Sequence, residues 1–308
     1  MTDTLPADGA GRPPLRVRDL VPAYLDYARA AADSPPGRWS ELWRSRYLDR
    51  HPEVFAAALD RAGEFSGGDD LPAALARLAE AGAGTELSRR AGLLTAELPD
   101  AVRAVAAVLD WPGDDDPFDC VTLVGLHRAN GWAGRLDGRY ALFLAVEQLA
   151  DPAEARLLVR HEAAHVVHDR LATIRDWPEH GVAALLLAEG LATEVSAETD
   201  PGLPDEAYLW FRRPGQAPWL AECRRRWPEI LDRITADLDA TTGDRYAPYF
   251  LMRDLPGGDL PKRCGYLVGL RVVRELRRRH PLPEIARWDL DRAVPELRRA
   301  LGALAVAS

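Results

Sequence analysis

Residues 151–168 constrain the fold more than any other stretch. Asp151-Pro152-Ala153-Glu154 places a capping side chain, a proline at the first helical position and a glutamate three residues after the cap. Together these start a helix, because they satisfy or dispense with backbone N–H groups that lack a partner in the first turn. The helix runs directly into His161-Glu162-Ala163-Ala164-His165. Side chains four residues apart lie one above the other on a helix face, so two imidazoles can reach the same ion. Glu162 is rotated by about 100° from His161. Its carboxylate therefore stands beside the ion, where it can hold a metal-bound water and take its proton.

A second helix supplies the missing ligand. Gly181 to Thr193 is apolar except for Glu189 near its middle. A buried carboxylate without a partner is costly, so it is normally paired or bound to metal. Catalytic zinc typically has three protein ligands and an open position, and two His with one Glu is a standard set. The expected site is one Zn2+ held by His161, His165 and Glu189. Gly190 lets the two helices approach closely. His168 cannot join them: seven residues from His161 is a rise of about 10.5 Å along a straight helix. Thr193 and Glu194 are candidates to orient His161 by accepting its other N–H.

The rest of the chain frames this site. Residues 15–110 read as helical, with apolar positions recurring at three and four (Leu20, Tyr24, Tyr27; Leu71, Leu75, Leu78) and an aromatic packing segment from Trp39 to Phe55. The Asp114-Asp115-Asp116-Pro117 run reads as a solvated linker. Val121–Leu126 and Arg139–Val146 are β-rich, with the turn dipeptides Asn130-Gly131 and Asp137-Gly138 between them. They predict a hairpin, or two strands joined by a long loop. The fold class expected is α+β: mostly helical, with a small sheet beside the His-Glu helix. The expected organisation is a disordered tail over 1–14, a helical subdomain over 15–117 and a catalytic subdomain over 118–308.

Charge and cysteine content narrow the function. The chain of 308 residues carries a net charge of −9, which argues against a general nucleic-acid binder. The acidity is local: residues 111–200 hold 16 acidic and 7 basic side chains, while residues 201–308 are net positive. An acidic surround favours cation uptake and basic peptides. Arg271–His280 predicts a helix with a solvated basic face. The three cysteines, Cys120, Cys223 and Cys264, are too few for a disulfide framework and predict buried free thiols in a reducing cytoplasm. No secretory signal is read, because the N-terminus lacks a basic start and an apolar core, and no membrane span, because the longest apolar run, Val182 to Ala192, is interrupted by Glu189.

The two motifs, His161-Glu162-Ala163-Ala164-His165 and Glu189-Gly190-Leu191-Ala192, resemble the gluzincin arrangement of zinc metallopeptidases. More closely, the chain resembles a bacterial family of predicted zinc-dependent proteases. The resemblance extends to Arg46-Tyr47-Leu48-Asp49-Arg50-His51-Pro52-Glu53-Val54-Phe55 and to Gly265-Tyr266-Leu267-Val268-Gly269 with Arg271-Val272-Val273. It departs from the family at Ala163, Ala164 and Leu270, none of which is a ligand. The resemblance implies a zinc peptidase in which Glu162 activates the zinc-bound water and passes its proton to the leaving amine. It also implies a Tyr or His oxyanion donor; Tyr266 is the first candidate, ahead of Tyr246, Tyr249 and Arg128. The strand Arg139–Val146 is a candidate to bind extended peptide by edge pairing.

Two other readings stand beside this one. The zinc could hold two helices together in a non-catalytic binding protein, or the hydrolase could cleave a non-peptide amide or ester. Glu162 separates the first from a peptidase, since a purely structural site needs no base beside its ligands.

Overall fold

In the computed structural model, residues 2–5, 14–59, 71–80, 84–113, 116–127, 129–149, 151–252 and 259–306 are described. The chain divides into two compact units, Met1–Ala101 with Pro112–Glu162, and Val102–Trp111 with Ala163–Ser308. The division does not fall at residue 117: the first hundred residues share a unit with the strands that follow.

The first unit is built on a five-stranded mixed sheet. Its strands are β1 (Thr2–Leu5), β2 (Leu15–Asp19), β3 (Phe118–Leu123), β4 (Gly131–Leu136) and β5 (Arg139–Ala145), in the order β1-β2-β3-β5-β4. β2, β3 and β5 are parallel, while β1 and β4 add antiparallel edges. Every residue of β3 is buried, as expected of a central parallel strand covered on both faces.

Three expectations change here. Thr2–Leu5, read as part of a disordered tail, is a strand paired with β2; residues 6–13 lie outside the described residues. Leu15–Asp19, read as helical, is β2. Its apolar Leu15 and Val17 alternate with Arg16 and Arg18, whose guanidinium groups pair with Asp119 and Asp137. The two β-rich runs pair parallel, because β4 lies between them in sequence and forms the hairpin with β5. That hairpin turns at Asp137-Gly138, where φ is +51° and +79°. Positive φ at both central positions is the type I′ turn that matches strand twist. Residues 114 and 115 of the expected linker lie outside the described residues.

The helices of this unit are α1 (Val21–Ala32), α2 (Trp39–Arg46), α3 (Pro52–Leu59), α4 (Leu71–Glu80), most of α5 (Gly84–Leu109) and the first half of α6 (Pro152–Ala172). Asp19 ends β2 and accepts the Val21 N–H at 3.0 Å, which starts α1. Tyr24, Tyr27, Trp43, Tyr47 and Phe55 interlock as tilted and edge-to-face rings, so the aromatic segment does pack a core.

The second unit is helical. After α6 come α7 (Val182–Thr199), α8 (Asp205–Leu209), α9 (Ala217–Arg225), α10 (Trp227–Ala236), α11 (Gly243–Phe250), α12 (Cys264–Leu276), α13 (Leu282–Ile285) and α14 (Leu290–Val306). α7 is buried almost all round, which explains its uniform apolar composition. Its first N–H groups, from Val182 and Ala183, donate to the carbonyls of Ala240 and Leu238. α12 runs parallel to α7: Gly269 lies against Gly190, Arg274 binds Glu194 and Arg277 binds Glu198. The basic face of α12 is therefore not simply solvated. Arg271 and Arg274 also grip Asp205, and Arg277 reaches Glu194. No described helix is long and apolar enough to cross a membrane.

Candidate metal centre

Asp151 caps α6 as its sequence predicts, accepting the N–H groups of Ala153 at 2.8 Å and Glu154 at 2.9 Å. At the other end, Thr173 takes a left-handed φ of +57° and Asp169 binds the Arg175 N–H at 2.9 Å. Between these stops the helix carries His161, Glu162 and His165, all buried. α7 brings Glu189 to them. One ligand atom from each of His161, His165 and Glu189 lies within 4.8 Å of the others. His165 Nε2 is 3.4 Å from Glu189 Oε2. That separation is about the edge of a tetrahedron whose ligands stand roughly 2.1 Å from a central ion. Two buried imidazoles and a partly exposed carboxylate, so spaced, fit a divalent metal ion.

Glu162 is outside this ligand set. It is 6% exposed and lies against the start of β4: a Cβ added to Gly131 would come within 3.1 Å of Glu162 Cγ, and within 3.3 Å of Leu144 and Leu158. The Asn130-Gly131 dipeptide is thus more than a turn signal; the missing side chain makes room for Glu162.

Gly190 does serve a close helix approach, but its partner is α12 rather than α6. A Cβ on Gly190 would lie 2.3 Å from the Gly269 carbonyl oxygen. The Thr193 hydroxyl donates to the Glu189 carbonyl at 2.8 Å, and the Glu194 carboxylate is held by Arg274 and Arg277. Those contacts, and not an imidazole, account for both side chains. His168 is buried, packs edge-on to Trp177 at 5.2 Å, and is kept neutral by burial, which lowers its pKa to about 3.

Tyr266 stands on the first turn of α12, one turn before Gly269. Its ring lies 3.9 Å below the Arg263 guanidinium and 6.0 Å from the Phe250 ring. Gly265 beside it makes room for Phe250, since a Cβ there would meet that ring at 2.7 Å. The Tyr249 hydroxyl donates to Asp237 at 2.7 Å, the Tyr246 ring stacks on His180 at 4.8 Å, and Arg128 lies outside the described residues. Cys264 is a buried free thiol, and burial pushes its pKa up to about 12, so it is no nucleophile near neutral pH.

Among the buried acids that the sequence does not single out, Glu147 bears on the site. Glu147 follows β5 and is 8% exposed; one carboxylate oxygen accepts the N–H groups of Gly125 and His127 at 2.8 and 2.9 Å. Tyr47 fixes the same loop by bonding both backbone groups of Val124. The loop leads to Gly131, and Leu126 and His127 in it have φ of +59° and +57°. The signal was available: Glu147 stands alone in Ala145-Val146-Glu147, as Glu189 does in its helix.

In comparisons with known proteins, no family model, no curated protein and no solved structure matches this chain.

Proposed function

We propose that this protein is a zinc-dependent peptidase of gluzincin type, acting on peptide or protein substrates. The observation that carries the proposal is the convergence of His161, His165 and Glu189 with a further carboxylate, Glu162, buried on the same helix but outside the ligand set. A site that only tied helices together would have no use for that carboxylate and would tend to close the fourth position with a side chain. The chemistry a zinc ion supplies in such a set is Lewis acidity, which polarises a carbonyl and acidifies water.

The remaining work falls to the chain. His161, His165 and Glu189 hold the ion. Glu162 takes the proton of the attacking water and delivers it to the amine nitrogen as the C–N bond breaks, so one carboxylate serves as base and then acid. Gly131 allows it the room to stand there. The extended substrate pairs with a strand edge, but not with β5, which is internal between β3 and β4. The edge strand is β4, whose first residue lies against Glu162. Tyr266 is the oxyanion donor in this scheme. A Tyr266→Phe variant with unchanged turnover would remove it from that role.

The test is cleavage of a peptide library by zinc-loaded wild type and by Glu162→Gln. The proposal expects cleavage by the first and a loss of about 10²–10⁴-fold in the second. Stoichiometric zinc without cleavage of any peptide by wild type would overturn it, in favour of a zinc-stabilised binding protein or a hydrolase of another amide or ester.

A further inference from the structure

Arg263 is a cation caged by aromatic rings, and among the described residues it has no counter-charge. It sits at the N-cap of α12, in a left-handed conformation with φ of +62°. Its guanidinium lies over three rings: Tyr266 at 3.9 Å, Trp210 at 5.0 Å and Phe211 at 5.9 Å. One terminal nitrogen donates to the Leu209 carbonyl at 3.2 Å. The rings are themselves braced, Trp210 by an edge-to-face contact with Trp219, and Trp219 by its N–H bond to the Lys262 carbonyl at 2.8 Å. Among the described residues no carboxylate pairs with Arg263. Arg274 and Arg277, half-buried on the same helix, each bind two carboxylates.

A half-buried charge is normally neutralised, because partial desolvation is costly without a partner. Aromatic faces hold a guanidinium in place but leave its formal charge uncompensated. A planar fork of fixed orientation matches a carboxylate, and the helix N-terminus beside it favours an anion further. The place is also telling. α12 meets Gly190, the neighbour of Glu189, six residues after Arg263, a rise of about 9 Å. That is the span of roughly two to three residues of extended peptide.

We propose that Arg263, on its platform of Tyr266, Trp210 and Phe211, binds a carboxylate of the substrate, in particular the free C-terminus of a peptide. This rests on the peptidase reading of the metal site and names the substrate class: peptides that end, with an open carboxylate, a few residues beyond the bond cleaved. It also sets a local preference opposite to that of the acidic middle segment.

Binding tests the proposal independently of cleavage. The probes are N-acetyl-trialanine, its C-terminal amide, and the amide with glutamate replacing the last alanine, titrated into the zinc-loaded protein by calorimetry. Wild type is expected to bind the free acid at least about tenfold more tightly than the plain amide. In Arg263→Met, which keeps the apolar stem, the two should bind alike, with Arg263→Lys intermediate. If the glutamyl amide binds as well as the acid, the same site takes acidic side chains. Equal binding of acid and plain amide by wild type overturns the proposal. So does an acid preference that persists in Arg263→Met, since the carboxylate then sits elsewhere, on the metal for example. Should Arg263→Met fail to fold, Arg263→Lys with undiminished acid preference overturns it alone. Failure of the peptidase reading shows differently, as no cleavage of any peptide by wild type whatever the binding.

Discussion

Gly190 and Gly269 touch backbone to backbone, and the contact fixes where Glu189 stands. A Cβ on Gly190 would come 2.3 Å from the Gly269 carbonyl oxygen, and one on Gly269 would come 2.6 Å from that of Leu186. Neither obstacle is a flexible side chain that could step aside. Gly190→Ala must therefore push α12 away from α7, at a cost of about 1–3 kcal/mol or more. Gly92→Ala on α5 is the control, since nothing lies within 4 Å of its added Cβ. There the gain in helix propensity should stabilise by about 0.5–1 kcal/mol. Urea midpoints of the two variants moving in opposite directions are expected; equal midpoints would refute the close packing.

Gly131 offers a subtler test. Alanine there needs Glu162 Cγ, now 3.1 Å from the added Cβ, to shift by a few tenths of an ångström. None of His161, His165 and Glu189 is among the nearest neighbours of that Cβ. Gly131→Ala should keep its zinc and lose turnover by about 10- to 100-fold, as misplacement of a proton-transfer group does. Loss of zinc in step with activity would mean that the substitution disturbs α6 as a whole.

Glu147 gives a pH signature. Burial raises its carboxyl from 4.5 to about 7, only partly offset by the N–H groups of His127 and Gly125. The folded state thus holds this proton more tightly than the unfolded chain. The associated stability is complete below about pH 4.5 and is lost as pH rises through 7. Its size is on the order of 3 kcal/mol. Urea midpoints of the metal-free protein between pH 5 and 8 should show wild type losing this much more than Glu147→Gln, in which the amide oxygen still accepts both N–H groups. Identical slopes would show that Glu147 ionises as an ordinary surface acid.

The three residues of the candidate metal site were legible in the sequence because their signals are local and strong. A capped helix start, two His four apart and one carboxylate in an apolar helix each carry a direct physical meaning. What was not legible depends on distant partners. β2 is five residues long, and its strand character comes from pairing with β3, a hundred residues away. β5 looked like an edge strand, since nothing local shows that Gly131–Leu136 covers it. Gly190 announced a close approach without saying to what. Glu194 and Thr193 looked free to orient an imidazole until Arg274, Arg277 and the Glu189 carbonyl claimed them. Arg263 gave no signal at all, because its cage is assembled from residues 210, 211 and 266.

The central claim is a single metal ion shared by α6 and α7 through His161, His165 and Glu189. Metal content, measured by mass spectrometry after dialysis against zinc and then buffer, tests it most directly. One zinc per chain is predicted for wild type and for Glu162→Gln, and none for His165→Ala or for Glu189→Ala, with both variants checked for native helix content. A wild type that retains no zinc, or ligand variants that retain as much as wild type, would contradict the account.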